Sequence, residues 1–311
     1  MMRAWLTGIV ATAGLFWPGV ALPRQAPVAT FKSRVDLVRA AAIVRDRRGR
    51  FVDDLTQRDF EVLEGAERRM ILDFQREQQG VSVALLFDVS GSMRSRLADA
   101  REAANHLLAW VDESRDEVAV FTFDTSLVEV VSFTIGLKTL PPSLALVQPF
   151  GATSLHDAIA RAAERVARRE GRRHAVAVLT DGRDNASRLE PAAVSAIASA
   201  IDVPVYIFGV VASIDNPGEN AATESAGRWL AGPIDDLATH TGGRVVVAST
   251  PAQRSLAARQ IVDELRHQYL IAFESSGKPG WHPLVVRTRN KDLVVHARNG
   301  YIAGQSRPSS F

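Results

Sequence analysis

Cysteine is absent from all 311 residues of the chain. The chain therefore cannot form a disulfide, a thiolate metal site or a cysteine nucleophile, and it cannot carry a lipid anchor on an N-terminal cysteine. A large net charge is also absent, because 37 Lys and Arg nearly balance 35 Asp and Glu. With 46% apolar residues, the chain has ample material for a large buried core and a smaller second unit.

The richest basic stretch does not indicate a nucleic-acid partner. Residues 161–173 carry four arginines that would share one helical face, namely Arg161, Arg165, Arg168 and Arg172. Glu164 and Glu170 interrupt the charge, and no aromatic platform for stacking bases accompanies it. We therefore expect a solvated helix face and no nucleic acid.

Apart from a run near the N-terminus, the sequence also has no apolar stretch of a length that could span a bilayer. Arg3 precedes an apolar run at residues 6–17, and small residues lie before a cleavage point after Ala21. This pattern predicts a signal peptide at residues 1–21, a linker at 22–31 and export to the periplasm or the cell exterior. The run is shorter than the roughly 20 residues of a comfortable transmembrane helix. An uncleaved membrane anchor is the alternative.

The middle of the chain has the pattern of an α/β domain over residues 80–268. Its first segment, VSVALLFD at 81–88, is nearly all apolar, as is typical of a parallel strand covered on both faces. Similar runs recur at 117–123, 175–181, 203–211 and 243–248, and helical stretches are predicted at 94–112, 154–170, 190–200, 226–241 and 251–267. The alternation predicts a doubly wound, mostly parallel sheet. The run at 126–133 follows too short a turn for a crossover, so it predicts one antiparallel edge strand.

Two β-rich flanks surround this domain. Residues 35–44 followed by a charged turn at Gly49 predict one hairpin, and residues 60–63 and 70–74 around Gly65 predict another. Three more strands are predicted within 269–303, before a tail at 304–311. Because neither flank has enough strands to bury a core alone, we expect residues 32–78 and 269–303 to pack together as one small β module.

Five oxygen-bearing side chains lie where predicted strands end or helices begin. They are Asp88, Ser90 and Ser92 in LLFDVSGSM, Thr153 in GATSLHDAI and Asp181 in AVLTDGRDN. Ligands of open α/β sheets bind at the carboxyl ends of the strands, where such side chains converge. Hydroxyls and carboxylates are hard ligands, so the set predicts a Mg²⁺ site, with Mn²⁺ or Ca²⁺ as substitutes.

This set resembles the metal-ion-dependent adhesion site of the von Willebrand factor type A domain. The motif DVSGS matches the DxSxS loop of that family, Thr153 matches its lone threonine and Asp181 its second aspartate. The resemblance implies that Ser90, Ser92 and Thr153 face the metal, while Asp88 and Asp181 act largely through bound waters. It implies a binding module, not an enzyme, that captures an Asp or Glu carboxylate of a protein partner. The flanks, with DFEVLEG and ARNGYIA, resemble a bacterial exported subgroup of such proteins.

Each motif taken alone has a structural alternative. The DVSGS turn and the Thr153–Ser154 pair could be helix caps, and LTDG could be a strand end followed by a turn. We expect Asp157 to support a helix N-terminus. Asp184 and Asn185 are expected to be solvated turn residues, with a position on the rim of the site as the alternative. His106 and His156 are expected to be structural or surface residues, and they could act as acid or base only if they lie near the metal.

Two other functions compete with binding. A Mg²⁺-dependent phosphoester hydrolase could use Asp, Ser and a cation, but the sequence has no GxxxxGK[ST] loop, no second acidic cluster and no obvious base beside Ser90 or Ser92. A structural scaffold stabilised by its metal is the other alternative.

Overall fold

The computed structural model describes residues 37–76, 80–200, 202–210, 232–248 and 250–303. The expected signal peptide, linker and tail lie outside these residues, as does the first part of the helix predicted at 226–241. Among the residues described, no helix has the length and apolar composition needed to cross a bilayer.

Fourteen strands and five α-helices are present in the described part. The strands are β1 (Leu37–Arg45), β2 (Phe60–Glu64), β3 (Glu67–Arg69), β4 (Ile71–Gln75), β5 (Val81–Asp88), β6 (Glu117–Phe123), β7 (Leu127–Ile135), β8 (Arg173–Thr180), β9 (Val205–Val210), β10 (Val245–Ala248), β11 (Gln268–Glu274), β12 (Gly280–Thr288), β13 (Val294–Ala297) and β14 (Gly300–Ala303). The helices are α1 (Leu97–Trp110), α2 (Leu155–Val166), α3 (Pro191–Ala200), α4 (Pro233–Thr241) and α5 (Pro251–Arg266).

The central sheet has six strands in the order β10-β9-β8-β5-β6-β7. Five of them are parallel, and β7 pairs antiparallel with β6 at the edge. Every residue of β5, β6 and β9 is buried, as expected of strands covered on both faces. The predicted fold class, including the antiparallel edge strand, is confirmed.

Helices cover both faces of this sheet. Helices α1 and α5 pack on one face through a core that includes Leu85, Phe87 and Tyr206. Helices α2, α3 and α4 pack on the other face against Leu86, Phe121 and their neighbours. Small residues at helical spacing allow the close approach of α1, whose inward face is Ala100, Ala103, Ala104, Leu107 and Leu108.

The strands outside the central sheet form a β module of two four-stranded antiparallel sheets, ordered β13-β1-β11-β4 and β14-β12-β2-β3. Each sheet draws strands from both flanks of the chain; β1, for example, pairs with β11 from Leu37↔Glu274 to Ile43↔Gln268. A third hydrophobic core, with Phe60, Tyr269 and Phe273, lies within the module. Flanking antiparallel sheets are thus part of the fold, while the boundaries given for the domains stay a prediction.

The two predicted hairpins need correction. The turn at Gly49 returns the chain only to an isolated bridge between Arg45 and Phe51, and the partners of β1 are β11 and β13. Around Gly65, β2 does form a hairpin, but with Glu67–Arg69 as its partner strand. The apolar residues at 71–75 form β4, which pairs with β11 in the other sheet.

The arginine-rich stretch also differs from the prediction. Helix α2 ends at Val166, so the helical face does not continue to Arg172. Arg165 pairs with Glu129 of β7 at 2.9 Å, which ties α2 to the edge strand. Arg169 makes two hydrogen bonds, of 2.8 and 3.0 Å, to the buried Glu117 carboxylate of β6. These arginines therefore hold the domain together and are not only solvated.

Candidate functional site

Asp88 ends β5 beside the point where the strand order reverses. The chain leaves β5 for β6 on one side and later returns to β8 on the other, and such reversals open a crevice for ligands in α/β sheets. Asp88 is fully buried. Its carboxylate accepts hydrogen bonds from the Ser90 backbone N–H at 2.9 Å and from the Thr180 hydroxyl at 2.6 Å. Because Thr180 is the last residue of β8, this bond ties the two strand ends together.

The Asp88 carboxylate has no cationic partner within the described part of the chain, since its bonds come from an amide and a hydroxyl. Burial raises the pKa of Asp88, the hydrogen bonds from Ser90 and Thr180 lower it by less, and the nearby Asp181 carboxylate raises it again. Burying an ionised carboxylate without a counter-charge is costly. A cation bound here would supply the missing charge.

Two serine hydroxyls converge directly after Asp88. Ser90 precedes the short 3₁₀ turn Gly91–Met93, and its hydroxyl lies 3.2 Å from that of Ser92. Although Ser90 occupies the N-cap position of this turn, its side chain makes no capping hydrogen bond, and neither does Ser154 at the N-cap of α2. The capping alternative therefore does not account for these hydroxyls.

Thr153 lies in a segment whose backbone is bonded to the serine turn. Phe150 donates its N–H to the Val89 carbonyl at 3.0 Å, and Gly91 donates to the Gly151 carbonyl at 3.0 Å. Gly151 has φ +83°, in the left-handed region that favours glycine, which lets the chain turn here. Two residues further on, Thr153 is 2% exposed and directly precedes the cap of α2.

The loop after β8 holds Thr153 from its other side. The Thr153 N–H donates to the Asn185 side-chain oxygen at 2.8 Å, and its carbonyl accepts the backbone N–H groups of Asn185 and Ala186, each at 3.0 Å. Asn185 is thus an exposed turn residue, as expected, and its side chain also positions this segment.

Asp184 also positions this loop, contrary to the expectation of a solvated turn. Its carboxylate accepts the His156 backbone N–H at 3.0 Å and the Ser187 hydroxyl at 2.5 Å, and the His156 ring lies 3.3 Å from it. Asp157, one turn into α2, accepts N–H groups of the same loop. His156 therefore has a structural partner, as expected.

Asp181 differs from Asp88 because two arginines lie close to its carboxylate. It directly follows β8 and is 6% exposed. Its carboxylate accepts a hydrogen bond from the Arg96 guanidinium at 2.9 Å and from the Arg183 backbone N–H at 3.3 Å, and the Arg183 guanidinium lies 3.8 Å away. Arg96 directly precedes α1, so the bond crosses the crevice between the ends of β5 and β8.

Sequence reasoning missed two residues of this site. Thr180 adjoins Asp181 in LTDG, so its position at a strand end was a usable signal. Arg96 offered no local signal, since it is 85 positions from Asp181 in sequence. His106, by contrast, takes no part in the site and pairs with Glu102 on α1 at 3.6 Å.

The structure brings the five predicted ligands into three segments joined by backbone hydrogen bonds. Within them Ser90 contacts Ser92, and Asp88 and Asp181 are near enough to interact electrostatically. No hydrogen bond within the described part links the Thr153 hydroxyl to the other four. All donors are hard oxygens, and the buried Asp88 carboxylate has no counter-charge among the residues that the structure describes, so the set fits Mg²⁺ better than a soft metal.

Comparison with known proteins gives one matching family and several similar solved structures. Residues 83–183 match the von Willebrand factor type A domain. An aerotolerance-related membrane protein from Bacteroides fragilis is 20% identical over 60% of this chain and 100% of its own, with a TM-score of 0.47. BatB from Bacteroides thetaiotaomicron is 19% identical over 60% of this chain and 98% of its own, with a TM-score of 0.42.

A von Willebrand factor type A protein from Catenulispora acidiphila is 13% identical over 88% of this chain and 74% of its own, with a TM-score of 0.43. Among curated proteins, none matches the chain. The mostly parallel sheet with flanking antiparallel sheets is consistent with the fold of the von Willebrand factor type A domain, to which residues 83–183 are similar in sequence.

Proposed function

We propose that this protein is a metal-dependent binding module that captures an Asp or Glu side chain of a protein partner at the carboxyl end of its central sheet. The observation that carries the proposal is Asp88, which is fully buried and has no cationic partner among the described residues, directly beside two converging hydroxyls. A divalent cation bound at this position would supply the missing positive charge.

In this proposal Ser90, Ser92 and Thr153 face a divalent cation, while Asp88 and Asp181 balance its charge directly or through water. Bound Mg²⁺ supplies a Lewis acid that can accept a further oxygen ligand, with Mn²⁺ or Ca²⁺ as substitutes. A set with mostly neutral hydroxyls leaves much of the cation's charge available for the carboxylate of the partner.

Binding is favoured over hydrolysis because, among the described residues, no histidine lies beside the two serines to serve as a general base. The Ser90 hydroxyl lies 3.2 Å from that of Ser92, the His156 ring faces Asp184, and His106 pairs with Glu102. A serine nucleophile needs a base within hydrogen-bond reach.

We further propose that the module acts outside the cytoplasm, as expected from the export pattern of residues 1–21.

The test uses Mn²⁺ as both metal and probe. We expect the wild-type protein to bind Mn²⁺, as measured by electron paramagnetic resonance. We also expect the water proton relaxivity of the Mn²⁺ complex to fall when the carboxylate of an Asp-containing peptide displaces water from the metal. Replacing Ser90→Ala should weaken Mn²⁺ binding at least about tenfold, because it removes a ligand.

Ser82→Ala is the matched control, because Ser82 is also buried but lies at the start of β5, far from the site, where its hydroxyl bonds Glu117. Unchanged Mn²⁺ binding in Ser90→Ala, or a relaxivity that no carboxylate peptide alters, would sink the proposal. A melting temperature that rises with Mg²⁺ without any such change would instead favour a structural scaffold.

A further inference from the structure

Two large apolar side chains stand exposed beside the predicted metal site. Leu146 and Phe150 each expose 78% of their surface, and both lie between the 3₁₀ turn Pro142–Ala145 and Thr153. Scattered exposed apolar residues are ordinary. Two of them in one short segment, next to a candidate binding site, are typical of an interaction surface.

The backbone beneath these side chains is firmly held. Leu144 is buried in the core under α1, and its carbonyl accepts a hydrogen bond from the Arg101 guanidinium at 3.2 Å. Val147 packs against the same core, and Phe150 is bonded through its N–H to Val89, the residue between Asp88 and Ser90. An exposed apolar surface on a fixed backbone loses little conformational entropy when a partner binds.

Most exposed charges in the three loops of the site are positive. Within the loops at 89–96, 146–153 and 181–190, three of the four exposed charged side chains are arginines, namely Arg94, Arg183 and Arg188, and the fourth is Glu190 beside α3. The carboxylates of Asp181 and Asp184 are turned inward, with side-chain exposures of 3% and 15%. These three loops are therefore apolar and mainly positive on their exposed surface, which complements an acidic segment with apolar side chains.

We propose that Leu146 and Phe150 form the apolar half of a docking surface, and that the partner is a protein segment with an apolar side chain next to the acidic residue taken by the metal site. This inference rests on the proposed function and specifies its partner. The carboxylate would give orientation, and burial of the Phe150 ring would give most of the additional affinity.

The probes are two acetylated and amidated pentapeptides of equal charge, Gly-Leu-Asp-Leu-Gly and Gly-Ser-Asp-Ser-Gly, titrated calorimetrically into the full chain with saturating Mg²⁺. We expect the leucine peptide to bind about tenfold more tightly to the wild type, as burial of a few methylene groups allows. Phe150→Ser should reduce this preference to about twofold or less while Mn²⁺ binding stays unchanged. Met70→Ser is the control, because Met70 is 71% exposed but lies between β3 and β4 in the β module.

The outcomes separate this inference from the proposed function. Equal affinity of the wild type for both peptides, or a preference that survives in both Phe150→Ser and Leu146→Ser, overturns the apolar docking surface and leaves carboxylate capture standing. Failure of both peptides to bind a protein that does hold Mn²⁺ overturns carboxylate capture, and the docking surface with it.

Discussion

Two buried carboxylates, one in the β module and one at the end of the central sheet, have very different surroundings. Glu64 of β2 accepts hydrogen bonds from the Arg69 guanidinium at 2.6 Å and the Ser276 hydroxyl at 2.7 Å, and it also pairs with His282. Among the described residues, Asp88 of β5 accepts hydrogen bonds only from uncharged donors, the hydroxyls of Ser90 and Thr180 and the Ser90 backbone N–H. The described residues thus provide a cationic partner for Glu64 and none for Asp88.

The pKa values of these groups move in opposite directions. Burial raises the pKa of Glu64, but the Ser276 hydrogen bond and the Arg69 guanidinium together outweigh it, and the net shift is downward. For Asp88 burial prevails and the net shift is upward. A region that only has to be stable compensates its buried charge internally, whereas uncompensated charge is typical of a functional site.

The largest expected effect comes from neutralising each carboxylate in metal-free protein. Glu64→Gln should lower the free energy of unfolding by about 3 kcal/mol, because it leaves Arg69 and His282 without their buried partner. Asp88→Asn should change the free energy of unfolding by less than about 1 kcal/mol. The amide has the same shape as the carboxylate, and its burial does not carry the desolvation cost of a charge. Urea unfolding in EDTA measures both values.

Added Mg²⁺ sharpens this comparison. The stabilisation by Mg²⁺ should persist in Glu64→Gln and vanish in Asp88→Asn, because only Asp88 belongs to the proposed cation site. An equal loss of stability in both variants without metal, or full Mg²⁺ stabilisation of Asp88→Asn, would show that the two carboxylates play the same structural role.

Much of the fold could be predicted because local patterns determine it. Nearly continuous apolar runs such as β5 indicate buried parallel strands, and the short turn after β6 forces β7 to be antiparallel. Strand pairing in the β module could not be predicted in the same way. The partners of β1 are β11 and β13, more than 200 residues away, and a β pattern alone does not choose between a near and a distant partner.

The candidate site, like the fold, could be predicted from the sequence only in part. The positions of Asp88, Ser90 and Asp181 at strand ends follow from sequence, because parallel strands place their carboxyl ends at one edge. The partners of each carboxylate do not follow, since the reach of Arg96 to Asp181 depends on how α1 packs against the sheet. Yet those partners distinguish Asp181, which has an arginine partner, from Asp88, which has no cationic partner among the described residues.

A smaller effect is expected at Asp181, the carboxylate of the site that does have a cation. Arg96→Gln should lower the stability of the metal-free protein by about 2 kcal/mol, because the Asp181 side chain is 3% exposed and, among the described residues, would keep only the more distant Arg183 guanidinium as a cationic partner. The rise in melting temperature with Mg²⁺ should be larger than in the wild type, since Asp181 then lacks its main counter-charge. Differential scanning calorimetry with and without Mg²⁺ measures both quantities.

Arg94→Gln is the matched control, because it removes an exposed charge from the same loop without touching the Asp181 carboxylate. Identical responses of the two variants to Mg²⁺ would mean that Arg96 acts only through the overall charge of the loop and not through its bond to Asp181.

The smallest expected effect is a pH dependence confined to the β module. Because the pKa of Glu64 lies below its ordinary value of 4.5 in the folded chain, the ionised group stabilises the fold above that pH, and the contribution is lost as the pH falls through the lower, folded value. Gln cannot titrate, so the difference in unfolding free energy between wild type and Glu64→Gln should shrink on going from about pH 6 to about pH 3. Urea unfolding of both proteins across this range measures it. A difference that stays constant would show that Glu64 is held by shape and hydrogen bonding alone, and the contrast with Asp88 would then not be one of charge.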